Sequence, residues 1–188
     1  GGKDAARRVR ELSENIREHD HKYYTLSTPT ISDHEYDALM HELSELEAQD
    51  PELKLPDSPT QRVGGQPTKE FPTVTHSVPM LSLANTYSEE ELFDFDRRVA
   101  SLLRNGPCRY VAELKIDGVA ISLKYENGIL VQGATRGDGA QGDEITNNLK
   151  TIRSIPLRCA SASGGLLDFE VRGEIFMQKK DFQKMNEE

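Results

Sequence analysis

Apolar positions in the first fifty residues return every three or four places. Val9, Leu12, Ile16, His19 and Tyr23 mark one face, with mostly charged residues between them, which predicts an amphipathic helix over 4–24. After a loop, Ser32 with Glu35 three places on has the spacing of a capping box, in which a hydroxyl and a carboxylate satisfy the free amides of a helix start. Tyr36, Leu39, Leu43 and Leu46 give this second helix its buried stripe. Asp50-Pro51 ends it, because proline disfavours the helical conformation in the residue before it. Two such helices on a short loop pack as a hairpin. The Pro- and Gly-rich stretch 51–72 then reads as a linker. Ser88 with Glu91 repeats the capping spacing, and Leu92, Phe95, Val99 and Leu102 predict a third helix that stops at Asn105-Gly106-Pro107.

The period then changes from helical to alternating. Strands are expected over 110–116, 119–126 and 129–135, the last two joined by Asn127-Gly128, the strongest short hairpin signal. A fourth is expected over 167–176 after a Ser/Gly-rich turn, and 179–188 reads as the start of a helix. Hairpin signals outnumber strand-helix-strand alternation, so the expected class is α+β, with a small helical hairpin ahead of a mainly antiparallel sheet. No internal repeat interrupts this order.

Alternation over 110–116 puts Val111, Glu113 and Lys115 on one face and Ala112, Leu114 and Ile116 on the other, with the apolar set expected toward the core. A lysine and a carboxylate about 7 Å apart at Cα then line one surface, before Asp117-Gly118 turns the chain. With a two-residue turn at Asn127-Gly128, paired residue numbers sum to a constant, and Arg136 arrives opposite Val119, near that turn. The Arg136-Gly-Asp-Gly139 run offers backbone amides to a phosphate. Cations beside carboxylates suit a nucleotide, yet the same spacing describes a salt-bridged ladder on a solvated sheet face, and the residues by themselves leave both readings open. Glu170, Arg172 and Glu174 alternate in the same way, as a solvated face or the far wall of a nucleotide cleft.

Composition removes other classes. The chain has 188 residues and 36% hydrophobic content, enough for one ordinary domain or two small ones, with no run long enough to span a bilayer and no apolar leader at its start; it is expected to be a cytoplasmic monomer. Two cysteines, Cys108 and Cys159, cannot form a four-cysteine zinc site, and reduced thiols are expected. A net charge of −9 argues against a strong DNA clamp within this chain. The five histidines form no metal-ligand spacing, and no P-loop, dinucleotide fingerprint or serine nucleophile elbow is present.

Glu113-Leu-Lys-Ile-Asp-Gly118 resembles the Lys-x-Asp-Gly signature shared by DNA ligases, RNA ligases and mRNA capping enzymes. With Asp33-His-Glu-Tyr-Asp37, Ser58-Pro-Thr-Gln-Arg-Val-Gly64, Met80-Leu-Ser-Leu83, Thr135-Arg-Gly-Asp-Gly139, Thr151-Ile-Arg-Ser-Ile-Pro156 and Glu170-Val-Arg-Gly-Glu174 in this order, nearly the whole chain resembles bacterial NAD⁺-dependent DNA ligases. The resemblance implies a nicotinamide mononucleotide (NMN)-binding domain with its linker over 1–69, and over 70–188 the first part of a nucleotidyltransferase domain of the ligase and capping-enzyme type. It implies that Lys115 attacks the α-phosphate of NAD⁺, releasing NMN and keeping AMP, with Asp117 positioning the lysine. Glu113 would contact the adenine amine, Arg136 and Glu174 the ribose, and Ser82 and Leu83 the adenosine surroundings. Tyr23, Tyr24, Asp33, Tyr36 and Asp37 match the NMN site, where an aromatic face suits a cationic ring. An ordinary ammonium must lose its proton before it attacks, at roughly 4–5 kcal/mol at pH 7, and bound Mg²⁺ with Arg136 is expected to supply the opposing positive field. Nicked DNA is the partner implied for the full-length protein. The family's later nucleotidyltransferase, oligonucleotide-binding and zinc regions are absent from these 188 residues, so weak or no adenylation is expected from them alone. The competing readings are an ATP- or GTP-using ligase or capping enzyme, and a non-catalytic NAD⁺- or NMN-binding module.

Overall fold

The computed structural model describes residues 2–26, 28–62, 71–103, 108–159 and 167–187, without the side chains of Gly2, Lys3, Tyr24 and Thr25. The boundary expected between 69 and 70, the Asn105-Gly106-Pro107 stop and the Ser/Gly-rich turn lie outside the described residues.

Helix α1 (Gly2–Asp20) and helix α2 (Asp33–Gln49) form the hairpin. Val9, Leu12, Ile16 and Leu43 meet in a core from which water is excluded, with Tyr36, Leu39, Met40 and Leu46 packed around it. Each buried aliphatic side chain contributes roughly 1.5–3 kcal/mol. The α2 capping box forms as its spacing predicts: Ser32 Oγ accepts from Glu35 N, and the Glu35 carboxylate accepts from Ser32 N at 2.8 Å. The α1 stripe ends early. Residues His21–Thr25 rewind into one π-helical turn, which moves Tyr23 off the buried face and leaves it half exposed, while Asp20 is buried instead. Wide turns of this kind are frequent at functional sites.

The stretch after α2 is not a loose linker over 51–62. Asp57, Ser58 and Pro59 are buried against the hairpin, where Ser58 Oγ and Thr60 Oγ1 both donate to Glu47 at 2.5 Å.

The second unit is built on an antiparallel sheet in the order β3-β2-β5, with β2 (Val119–Glu126), β3 (Ile129–Thr135) and β5 (Phe169–Ile175). A two-stranded antiparallel ribbon, β1 (Thr73–Thr75) with β4 (Gln141–Asp143), lies beside it, and helix α4 (Thr146–Lys150) packs on β3. Alternate β2 residues Ile121, Leu123 and Tyr125 meet Leu130, Leu149 and Leu157 in the second core, and Phe169 stacks on the Tyr125 ring at 4.8 Å. Asn127 and Gly128 take φ of 51° and 74°, the left-handed pair that a tight hairpin turn requires. Among the described residues no helix is long and apolar enough to cross a membrane.

Two expectations about this unit are corrected. Residues 110–116 are not a strand: they run without sheet pairing, with Leu114 and Ile116 exposed rather than facing a core. The β2-β3 register also slips. Glu126 pairs with Ile129 and Tyr125 with Leu130, but Lys124 pairs with Gln132, so Val131 is an unpaired bulge residue. Arg136 therefore arrives opposite Ala120, to which its amide donates at 2.9 Å, and not opposite Val119.

Helix α3 (Glu89–Leu102) starts at Ser88, whose hydroxyl accepts from Glu91 N; the Glu91 carboxylate reaches Tyr87 N instead of Ser88 N, so only half of the expected box forms. Helix α5 (Lys179–Glu187) ends the described chain.

Candidate functional site

Two cavities collect the residues singled out in the sequence, one at the mouth of the hairpin and one at the end of the sheet.

The hairpin cavity, about 290 Å³, opens between the π-helical turn and the start of α2. Tyr23, Asp33, Tyr36 and Asp37 all line it; of Tyr24 only the backbone is described, in the same turn. Asp33 and Asp37 sit one helical turn apart on the rim. Tyr36 is fixed on both sides: its hydroxyl donates to Asp20 Oδ1 at 2.8 Å and accepts from Arg153 Nη1 at 2.7 Å. The Arg153 guanidinium also lies over the Tyr36 ring, 5.4 Å from its centroid.

The sheet cleft, about 380 Å³, is lined by Lys115, Asp117, Arg136 and Glu174 with the strand ends around them. Gly118 makes it possible. A Cβ there would lie 2.1 Å from the Ile175 carbonyl oxygen, so only glycine lets the lysine segment pass this close to β5. Arg136 donates to Ser82 Oγ at 3.0 Å, which ties the segment around Met80 to a cleft residue, although Ser82 itself does not line the cleft. That segment is anchored twice more. Arg172 donates to the carbonyls of Val78 and Pro79, and Met80 N donates to Gly139 O at 2.8 Å. Glu170 takes Ser77 Oγ at 2.6 Å, so Glu170 and Arg172 are neither a bare solvated ladder nor cleft lining: they tie this segment to β5, and only Glu174 of the three faces the cleft. Glu113 and Leu83 are exposed and do not line it.

The expected phosphate nest at Arg136-Gly-Asp-Gly139 is a closed turn. Asp138 N donates to Gln141 O and Gly139 N to Arg136 O, while the Asp138 carboxylate accepts from Ala140 N and Gln141 N at 2.8 Å. Those amide bonds hold the Asp138 carboxyl below the usual carboxylate range. With Arg136 N donating to Ala120 O, three amides of the run are thus already used.

Among the described residues no three His, Cys, Asp or Glu side chains converge as a metal cage, and Cys108 and Cys159 are free thiols.

Sequence reasoning missed the polar seam between the two units. Arg62 donates to the carbonyls of Lys150, Ile152 and Ile155, the last two at 3.0 and 2.9 Å. The buried carboxylate of Asp57 takes Arg17 at 2.6 Å and Arg158 at 2.5 Å. Burial pushes the Asp57 carboxyl up, but the Arg158 hydrogen bond and the two positive charges more than offset this and hold it below its ordinary value. Pairings some 90 to 100 residues apart leave no periodic trace, although Arg62 and Arg153 fall in segments that the family resemblance picks out.

Comparison with known proteins follows the same two units. Residues 68–188 match the family described as NAD-dependent DNA ligase adenylation domain, and residues 2–64 match the family described as DNA ligase-like, N-terminal NAD⁺-binding domain. The chain is 54% identical over 186 residues to a DNA ligase of Natranaerobius thermophilus, covering 99% of this chain and 28% of the relative. It is 55% identical over 186 residues to a DNA ligase of Thermotoga neapolitana, covering 99% and 26%, and 56% identical over 184 residues to one of Anoxybacillus flavithermus, covering 98% and 26%. The chain thus spans about a quarter of the length of these relatives.

Proposed function

The chain belongs to the NAD-dependent DNA ligase family, and from that premise we propose that Lys115 is the nucleophile that takes AMP from NAD⁺. The neutral amine attacks the α-phosphate of the adenylyl half. The bond from that phosphorus to the bridging oxygen breaks, NMN leaves with the bond's electrons, and AMP stays on Nζ as a phosphoramide. In the full-length protein the AMP would pass to the 5′-phosphate at a DNA nick, where the 3′-hydroxyl displaces it during replication and repair.

The observation that supports this reading is the cleft itself: Lys115, Asp117, Arg136 and Glu174 line one cavity. Asp117 would orient the lysine and Glu174 accept from a ribose hydroxyl. Arg136 with Ser82 would bind the ribose side, while Glu113 and Leu83, exposed here, would meet the adenosine. Tyr23, Tyr24, Tyr36, Asp33 and Asp37 would take the nicotinamide half, whose positive ring suits aromatic faces and carboxylates.

Mg²⁺ keeps most of its waters and needs only one or two carboxylates beside substrate phosphates, so Asp117 and Glu174 fit as its protein partners without a ready-made cage. When bound, the ion would supply positive charge against the phosphates.

The test is intact-mass analysis and peptide mapping of the full-length ligase after incubation with NAD⁺ and Mg²⁺. One AMP on Lys115 is expected, abolished by Lys115→Ala and by Lys115→Arg, whose guanidinium has no lone pair to offer. Little adduct is expected from ATP, and equal labelling from ATP would favour an ATP-using relative instead. Tyr23→Ala or Asp37→Ala should weaken NMN binding by at least ~1 kcal/mol. An adduct that survives Lys115→Ala would overturn the assignment.

A further inference from the structure

Among the described residues, Lys115 and Arg136 are the two cations that line the sheet cleft, and Arg136 stands where strand pairing gives out. The β2-β3 ladder ends at the pair Ile121–Thr135. On its amino side Arg136 is still held, with its amide donating to Ala120 O at 2.9 Å. The peptide on its other side leads into Gly137 at φ 55°, a conformation that glycine adopts freely and other residues rarely do. That peptide is the loose one. The Cα–Cβ bond of Arg136 is aimed only when the peptides on both sides of it are fixed, because φ and ψ are the soft torsions between them.

The carbonyl of Arg136 is the handle on that second peptide. It accepts from Gly139 N at 3.0 Å within its own turn, and from His76 Nε2 at 3.2 Å from outside the turn. A carbonyl oxygen offers two lone pairs and no hydrogen, so His76 is the donor and Nε2 carries the proton. The Gly139 bond moves with the turn, whereas the His76 bond ties the turn to another part of the chain. His76 is itself anchored beside the β1-β4 ribbon, where its amide donates to Ala140 O at 3.0 Å, one step beyond the pair Thr75–Gln141. Its side chain is partly buried and lines a neighbouring cavity of about 120 Å³ instead of the cleft. The same segment reaches the far end of Arg136, since Ser82 Oγ accepts from the guanidinium at 3.0 Å. One stretch, 76–82, thus grips Arg136 at its backbone and at its tip.

We propose that His76 is a positioning residue for adenylyl transfer: without touching the nucleotide, it holds the Arg136 peptide so that the guanidinium is already aimed when NAD⁺ enters. This rests on the reading of Arg136 as a contact of the nucleotide. A side chain aimed in advance loses less freedom on binding, and that part of the affinity is what His76 supplies. A contact on the ribose side is made equally before and during transfer, so its loss raises the NAD⁺ concentration needed for half the maximal rate and spares the maximal rate itself.

AMP transfer to the full-length ligase, followed by intact mass over a range of NAD⁺ concentrations at fixed Mg²⁺, separates the half-saturating concentration from the limiting rate. Arg136→Ala should raise the half-saturating concentration about tenfold, the scale of one lost charge-assisted hydrogen bond. His76→Ala should raise it about three- to fivefold and leave the limiting rate within about twofold. His76→Gln, whose amide nitrogen falls near the place of Nε2, should restore the wild-type value within about twofold, whereas His76→Asn, whose amide falls near Nδ1, should behave as alanine does. In an Arg136→Ala background His76→Ala should add less than about twofold, because the group it positions is gone. Melting curves check that each variant folds, and the Asn and Gln variants, alike in polarity and different in reach, carry the comparison should alanine unfold the protein. An unchanged half-saturating concentration in His76→Ala and His76→Asn, a Gln variant no better than Asn, or an undiminished rise in the Arg136→Ala background overturns the proposal. If Arg136→Ala itself changes nothing, the reading of Arg136 as a nucleotide contact fails and the proposal falls with it.

Discussion

The hairpin and the segment from α3 to Lys115 carry equally clear apolar patterns and end in opposite states. In the hairpin the stripes of α1 and α2 face each other, and Val9, Leu12, Ile16 and Leu43 are at most 1% exposed. In α3 the stripe is just as regular, yet Leu92, Phe95 and Leu102 are exposed, and no α3 residue is buried. The alternating run 110–116 has no strand partner among the described residues and touches α3 through Tyr110, whose ring lies 6.0 Å from that of Phe95 and whose hydroxyl donates to Asp96 Oδ1 at 2.7 Å. A helix closes its hydrogen bonds within itself, so α3 forms although none of its residues is buried. A strand must borrow its bonds from another strand. Periodicity thus states which face needs covering, and of these two regions only the hairpin has its stripes covered.

The largest test of this contrast swaps nothing but position. Leu43→Ala should cost about 2–5 kcal/mol in denaturant unfolding, because it leaves a cavity in a closed core. Leu114→Ala, at a position 89% exposed, should stay within about 0.5 kcal/mol. Equal losses would mean that Leu114 packs in solution and that the contrast is wrong.

The hairpin, the antiparallel sheet and the Asn127-Gly128 turn were legible because each is written in contiguous residues. So was the grouping of Lys115, Asp117, Arg136 and Glu174, although for an imperfect reason: the register argument missed the Val131 bulge by one residue and still brought Arg136 to the same strand end. Three features were not legible. The π-helical turn that exposes Tyr23 shifts the helical phase without any breaker residue. Asp20 and Asp57 look like surface carboxylates until arginines from distant segments bury them. The Arg136-Gly-Asp-Gly139 run looks open for phosphate until Asp138 N and Gly139 N are seen to donate to Gln141 O and Arg136 O, which closes the turn.

The second test addresses the seam that joins the two regions. Asp57→Ala should cost about 2–3 kcal/mol, since it takes the carboxylate from Arg17, which is mostly buried, and from Arg158, which solvent partly compensates. The same carboxylate gives the seam a pH dependence. Its folded-state value lies below its unfolded one, so its contribution is intact above the ordinary carboxylate range. It is lost as pH falls through about 4 and below, toward the folded value. Acid titration of the melting temperature should therefore be steeper in the wild type than in Asp57→Asn, and superimposable curves would remove the seam as a source of acid lability.

The smallest expected effect discriminates the two regions most finely, because it makes one chemical change in both. Ser32 and Ser88 are both N-caps whose hydroxyls accept from the amide three residues on, at 3.3 and 3.2 Å. Replacing either by alanine removes the cap bond, worth about 1 kcal/mol to its own helix, and in Ser32→Ala also the bond that the hydroxyl donates to the Glu35 carboxylate at 2.8 Å. In Ser32→Ala that helix is part of the hairpin core, so the loss should appear in global unfolding as a drop of about 2–4 °C in melting temperature. In Ser88→Ala the first turn of α3 should fray, visible as faster amide exchange at Glu90 and Glu91, while the main transition stays where it was. The measurement is paired melting and hydrogen exchange on the two variants. A full melting shift from Ser88→Ala would show that α3 is coupled to a core after all, and its exposed stripe would then have to be packed in solution.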